Sequence, residues 1–244
     1  MTSNLLPRVD GRRADQLRPI SFSPHYTQYA EGSVLITWGG TIVLCNLTIQ
    51  DGVPGWMAGQ GCGWLTAEYA LLPRSTHTRT QREVHGLKGR TQEIRRLIGR
   101  SLRMAVNLQL LGERTLLLDC DVIQADGGTR AASITGGYIA LALGLGKLIS
   151  DNIIPAETLL PPIAAVSVGL IEKQPVLDLN YQEDSQADVD LNIVKTSENL
   201  YVEIQGTAEH QPFNAQSLNQ LLILADKGIE EILSLQKKAL KTLH

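Results

Sequence analysis

The sequence predicts an α+β fold, a single core of mixed and antiparallel sheets with packed helices, and three observations carry that prediction. In the first third, short apolar and β-branched runs are separated by turn signals such as Gly39-Gly40, the signature of hairpins. Further on, Leu116 to Ala125 has strand character, stops at Asp126-Gly127-Gly128, and passes into a long segment of small and apolar residues. Strand, tight turn and helix therefore follow one another directly. From Asn214, Leu218, Leu221, Leu222, Ala225, Ile229, Ile232, Leu233 and Leu240 recur at helical spacing, an apolar stripe for a helix laid on a core.

Composition narrows the function classes. The chain has 244 residues, enough to bury a full core without disulfide staples. Its 22 Lys and Arg against 25 Asp and Glu leave a net charge of −3, so any nucleic-acid partner must be held by a local patch. Cys45, Cys62 and Cys120 are an odd set with no CxxC pair, which reads as buried reduced thiols in a cytoplasmic protein. No apolar run approaches ~20 residues without a charged or polar break, and the N-terminus lacks a basic-then-apolar signal pattern. No membrane partner is expected.

In chain order, Met1 to Arg18 is polar and rich in Asp and Arg, an arm fixed at Pro19. Ile20 to Ser23, Val34 to Trp38 and Thr41 to Leu47 then read as an antiparallel meander. Trp64 to Leu72 is a further strand, entered through Gly59, Gly61 and Gly63. After it Arg74, Arg79, Arg82, Lys88, Arg90, Arg95, Arg96, Arg100 and Arg103 are opposed only by Glu83 and Glu93. The segment 74–89 has no helical or strand period and reads as a mobile basic loop, one-sided enough to favour RNA or another polyanion over a merely solvated surface. Thr91 is placed as a helix N-cap with Glu93 in the first turn. Ile94, Leu97, Ile98, Leu102 and Ala105 follow at helical spacing, leaving Arg96, Arg100 and Arg103 on another face, available for salt bridges within or between subunits. The helix from about Thr129 to Ile149 contains Gly136, Gly137, Gly144 and Gly146. Each costs ~1 kcal/mol against Ala and is tolerated where another element packs close, so this helix is central and buried. Ile163 to Ile171 reads as a buried strand and Leu200 to Thr207 as another.

Two stretches carry chemistry. Gly128, Thr129 and Arg130 follow a strand and open a helix, which makes an anion site: glycines let backbone N–H groups converge, the helix adds its positive end, Thr129 a hydroxyl and Arg130 a forked cation. An ordinary left-handed turn with an N-cap Thr and a surface Arg accounts for the same residues. Arg90, beside the next helix start, suits the same anion. The second stretch sets Asp178, Glu183, Asp184, Asp188 and Asp190 close together, and such crowding costs repulsion unless a cation or arginines answer it. From Asp188 the alternation is strict, so a polar-outward strand explains the pattern as well as a Mg²⁺ site with Asp184 and Asp190 as its preferred members.

The motifs Tyr29-Ala30-Glu31-Gly32-Ser33, Gly63-Trp64-Leu65-Thr66-Ala67-Glu68-Tyr69, Leu72-Pro73-Arg74, Gly89-Arg90-Thr91-Gln92-Glu93-Ile94, Leu97 to Arg103, Cys120 to Arg130, Glu183-Asp184-Ser185 and Val202 to Thr207 together resemble the ribonuclease PH family over nearly the whole chain. The resemblance implies a phosphate-dependent 3′→5′ exoribonuclease that trims tRNA precursors, releases nucleoside 5′-diphosphates reversibly, and assembles as a homohexamer built as a trimer of dimers. It implies inorganic phosphate on Arg90, Gly128, Thr129 and Arg130, metal-binding or catalytic carboxylates at Asp184 and Asp190, and a grip on the tRNA acceptor end by Arg74, Arg79 and Arg82. Three other readings stand beside it. A metal-dependent hydrolytic nuclease has no use for the Gly-Gly-Thr-Arg turn, a non-catalytic RNA-binding ring subunit none for both aspartates, and a longer processive phosphorylase needs more than one copy of the core.

Overall fold

The computed structural model describes residues 8–241; positions 1–7 of the expected arm lie outside the described residues. Strands β1 (Ile20–Pro24), β2 (Gly32–Trp38), β3 (Thr41–Asp51), β4 (Trp64–Leu71) and β5 (Arg114–Gln124) form one sheet in the order β1-β2-β3-β5-β4. The first three are the expected meander, turned at Gly39, whose φ of +56° suits glycine. The fourth run does not continue it. β4 lies parallel to β5, because helices α1 (Gly89–Arg103) and α2 (Leu108–Leu111) intervene and carry the chain back across, as a parallel pair requires. α1 packs on β4.

Helix α3 (Thr129–Ser150) then runs between the two sheets. The second sheet comprises β6 (Ile163–Ile171), β7 (Gln174–Leu177), β8 (Val189–Thr196) and β9 (Tyr201–Ala208), ordered β7-β6-β8-β9 and antiparallel throughout. Short α4 (Tyr181–Asp184) precedes β8, and α5 (Ala215–Lys241) covers β6 and β7. Both sheets feed one hydrophobic core. α3 is long and apolar enough to cross a membrane, yet 72% of its most apolar stretch is buried inside the protein. Its glycines are where neighbours come closest. A Cβ on Gly136 would stand 2.8 Å from Ile36 Cγ2 and 3.0 Å from Cys45 Sγ, whereas one on Gly146 would meet nothing within 4 Å.

Some local expectations are corrected. α1 begins at Gly89, after an extended Lys88, so Thr91 is not its cap. The Thr91 hydroxyl donates instead to Glu83 Oε1 at 2.9 Å, tying the helix to the basic loop, and Arg90 sits inside the first turn. The polar face of β8 is turned into a cavity and not onto open surface: Asp190 and Asn192 both line that cavity and Asn192 is buried, while further along the strand the Lys195 ammonium is buried against Asp226 and Asn199. The arm is no loose extension over residues 8–18. Arg8 and Arg18 are buried, and the Leu177 N–H donates to the Ala14 carbonyl at 2.7 Å. Cys45, Cys62 and Cys120 are free, buried thiols.

The close approach of α3 makes a testable contrast. Gly136→Ala gains ~1 kcal/mol of helix propensity but forces a contact that costs about 1–3 kcal/mol, so it lowers the urea midpoint. Gly146→Ala, with open space around it, raises the midpoint by up to ~1 kcal/mol in stability.

Candidate active site

The turn between β5 and α3 is built from two left-handed glycines, Gly127 at φ +74° and Gly128 at φ +67°. Gly127 is also packed too tightly for a side chain, since a Cβ there would stand 2.5 Å from the Leu179 carbonyl oxygen. Gly128 itself is the N-cap of α3. Thr129 is therefore the first helical residue, its hydroxyl 2.9 Å from the buried Tyr69 hydroxyl. Among the described residues the N–H groups of Gly127, Gly128 and Thr129 have no acceptor, as expected of a helix start. They add to the positive end of the α3 dipole.

A cavity of ≈ 840 Å³ opens at this turn, and its wall includes Arg90, Gly128, Thr129, Arg130, Asp184 and Asp190. The structure thus brings six of the sequence-derived candidates to one place. Arg130 is aligned by Glu93, Nη2 to Oε2 at 3.2 Å, and Glu93 in turn accepts from Gln205 Nε2 at 3.0 Å. Arg90 is exposed on the first turn of α1. Arg74, Arg79 and Arg82 are exposed on the basic loop and do not line the cavity. The loop contributes Thr76, His77 and Thr78 to the wall, with the His77 ring 5.8 Å from that of Tyr181.

The acidic stretch divides in two. Arg8 grips Glu183 with two bonds, Nε to Oε1 at 2.7 Å and Nη2 to Oε2 at 2.6 Å. Asp178 accepts from Arg18 Nη2 at 2.6 Å and from Trp38 Nε1 at 2.9 Å, with Arg12 at 3.3 Å. Those two carboxylates are thereby neutralised by the arm and do not line the cavity. Asp184 and Asp190 have no such partners. Burial raises the Asp184 carboxyl above its ordinary range, against the pull of Arg90 and Arg130. Burial, and then repulsion from Asp184, pushes Asp190 up from 3.8 to about 6. Asn192 Nδ2 reaches Asp190 Oδ2 at 3.3 Å, while Asp190 Oδ1 is buried with no hydrogen-bond partner. No group of three or more His, Cys, Asp and Glu suited to a metal occurs among the described residues. Two hard oxygen donors, one bare, still fit Mg²⁺, which takes one or two carboxylates and keeps several waters.

Sequence reading missed Tyr69, Glu93 and Gln205 as members of the site. Glu93 reads as an ordinary first-turn acid and Tyr69 as one more inward residue of a strand; only the fold sets them against Thr129 and Arg130.

A mixed sheet and an antiparallel sheet around one helix thus bring a turn with free N–H groups, two arginines and two carboxylates without arginine partners to one cavity, a set of groups suited to phosphate chemistry. The chain belongs to the 3′ exoribonuclease family: the model of that family's domain 1 matches residues 16–144 and that of domain 2 residues 161–228. It is 54% identical over 233 residues to the ribonuclease PH of Crocosphaera subtropica, covering 96% of this chain and 97% of that one. It is also 54% identical over 235 residues to that of Moorella thermoacetica, covering 96% and 94%. Among solved structures it resembles rice Rrp46, with a TM-score of 0.78 at 18% identity over 96% of this chain and all of that one. The Archaeoglobus fulgidus exosome with RNA bound to the active site gives 0.77 at 20% identity, over 97% and 92%. At those identities the likeness is one of fold.

The raised Asp190 carboxyl predicts a stability cost with a definite sign. The native state holds the Asp190 proton more tightly than the unfolded chain, so the penalty is absent below pH 3.8, grows to about pH 6 and is full above it. Asp190→Asn is therefore expected to stabilise the protein at pH 7.5 by up to about 3 kcal/mol. Urea melts of the two proteins should converge as the pH falls below 3.8, and millimolar Mg²⁺ should narrow the gap at pH 7.5.

Proposed function

We propose that the chain is a phosphate-dependent 3′→5′ exoribonuclease that trims the 3′ ends of tRNA precursors. The observation that carries this reading is what shares one cavity: two guanidinium groups and the start of α3 line it together with two carboxylates that no arginine hydrogen-bonds. Inorganic phosphate rests on Arg90, Arg130, the Thr129 hydroxyl and the Gly128 amide. It attacks the last internucleotide phosphorus in line, one oxygen forming the new anhydride bond as the bond to the 3′-oxygen of the preceding nucleotide breaks. The proton carried by hydrogen phosphate ends on that 3′-oxygen, and the products are a nucleoside 5′-diphosphate and RNA shorter by one residue. A phosphodiester is exchanged for an anhydride, so abundant diphosphates drive the reverse addition. No general base is needed, because the nucleophile is already ionised near neutral pH. Asp184 and Asp190 would hold a divalent cation, Mg²⁺, which supplies charge stabilisation at the transferring group.

Arg74, Arg79 and Arg82 stand outside the cavity on the basic loop and hold the tRNA acceptor end, binding phosphates without reading sequence. The assembly is a homohexamer, a trimer of dimers, in the cytoplasm. Exosome proteins share the fold, which makes a non-catalytic RNA-binding ring subunit the second reading. The presence of both aspartates, desolvated and without arginine partners, favours the enzyme.

The test is incubation with a 3′-extended tRNA and Mg²⁺, with and without inorganic phosphate, and identification of the released nucleotides. Diphosphates are expected only with phosphate, and Arg130→Ala should reduce the rate by about 10²-fold or more. Monophosphates released without phosphate would make the protein a hydrolase, and RNA binding without release would make it a ring subunit.

A further inference from the structure

We propose that Arg18 and Thr41 are positioning residues for the phosphate-binding turn, acting through the carbonyl oxygens of Asp126 and Gly127. The inference rests on the phosphorolytic reading above and assigns how its nucleophile site is kept open.

Neither side chain lines the cavity, and both are buried, Arg18 at 5% exposure and Thr41 at 1%. Arg18 donates from Nη1 to the Asp126 carbonyl, and from Nη2 to the Gly127 carbonyl at 3.4 Å. Thr41 Oγ1 donates to the same Gly127 carbonyl at 2.7 Å and accepts from the Asp126 N–H at 2.9 Å. Arg18 is itself fixed from behind, its backbone N–H donating to Asp178 Oδ2 at 2.7 Å and its Nη2 to Oδ1 at 2.6 Å.

Peptide geometry converts this into an effect on the site. In a planar trans peptide the C=O and N–H point in opposite directions. Holding the Asp126 and Gly127 oxygens toward Arg18 and Thr41 therefore turns the N–H groups of Gly127 and Gly128 the other way, and these are amides that have no acceptor. Two successive glycines are the softest backbone available. If either peptide flipped, a carbonyl dipole would replace an N–H dipole at the anion, and attraction would become repulsion. The two buried donors suppress that flip before phosphate arrives, which is preorganisation in the sense that matters for phosphoryl transfer.

Arg18 also carries charge and is among the groups acting on Asp184, so its loss alone would not separate geometry from field. Thr41 does, because Thr41→Val keeps shape and charge and removes only the hydroxyl. Thr41→Val, Thr41→Ser and Arg18→Lys should be assayed with phosphate and RNA varied separately, together with the rise in melting temperature that phosphate induces in the absence of RNA. For Thr41→Val and Arg18→Lys the expected result is an increase of about tenfold in KM for phosphate, the loss of roughly one hydrogen bond's worth of organisation, with KM for RNA within about twofold and a smaller phosphate-induced shift. Thr41→Ser should behave as wild type. Equal behaviour of Val and Ser at position 41, or parallel changes in both KM values, would overturn the inference and leave these residues a purely structural role. A wild-type protein whose melting temperature ignores phosphate and which releases no diphosphates would remove the functional reading and this one with it.

Discussion

Everything around the cavity depends on a buried ionic knot in which Arg8, Arg12 and Arg18 enclose Asp178 and Glu183. Asp178 is 1% exposed and adopts φ +56°, a left-handed conformation that Asp tolerates better than most residues. Arg8 Nη1 and Nη2 also reach the Leu177 and Asp178 carbonyls at 2.8 Å each. Desolvating five charged groups is expensive, and such networks add little net stability compared with apolar packing. Their contribution is to allow one arrangement. Arm, Trp38 of β2, the segment leaving β7, and α4 can satisfy these charges only when each stands where it does, and that arrangement closes the two halves around the site.

The same knot sorts the carboxylates. Crowded acids between positions 178 and 190 must be answered, and the answer differs residue by residue. Those given an arginine become structural. Glu183 additionally closes a capping box with Asn180, so α4 is fixed at its start and delivers Asp184 to the cavity at its end. Those denied an arginine of their own, Asp184 and Asp190, retain desolvation and mutual repulsion. The native state tolerates that cost because neighbouring elements are locked independently of it, and the proposed cation on the two carboxylates would relieve it.

How far the sequence foretold this follows from the range of each interaction. The meander, the turn at Gly127 and Gly128, the buried α3 and the stripe of α5 were legible because hydrophobic period and glycine placement act within a few residues. The pairing of β4 beside β5 was not, since strand order depends on a crossover and not on either strand's own pattern. Thr91 was misplaced as a cap because Glu83, eight positions away, competes for its hydroxyl. Residue types and spacing singled out Arg90, Gly128, Thr129, Arg130, Asp184 and Asp190, which the fold brings to one cavity. Arg18 and Thr41 were invisible: one looks like part of a polar arm and the other like the first residue of a strand, and their common partner is the backbone carbonyl of Gly127, more than 80 positions distant.

The layout of the cavity also bears on the choice between phosphate and water as nucleophile. Water arrives neutral and needs no positive surface to hold it; a nuclease using it requires electrostatic help mainly at the scissile phosphate. Here Arg90, Arg130 and the unsatisfied start of α3 line the same cavity as the two carboxylates; on the phosphorolytic reading proposed above they form the electropositive subsite for the attacking phosphate. Arg130 is aligned by Glu93 and Gln205 and Thr129 by Tyr69, so the subsite is held in shape by contacts that a hydrolase would have no reason to maintain. A dianion that must lie within bonding distance of another phosphate needs such a surface, because mutual repulsion otherwise keeps the two apart. On the proposed reading the positive groups offset that repulsion, and the anchoring of the Asp126 and Gly127 carbonyls keeps the N–H donors of the turn toward the anion.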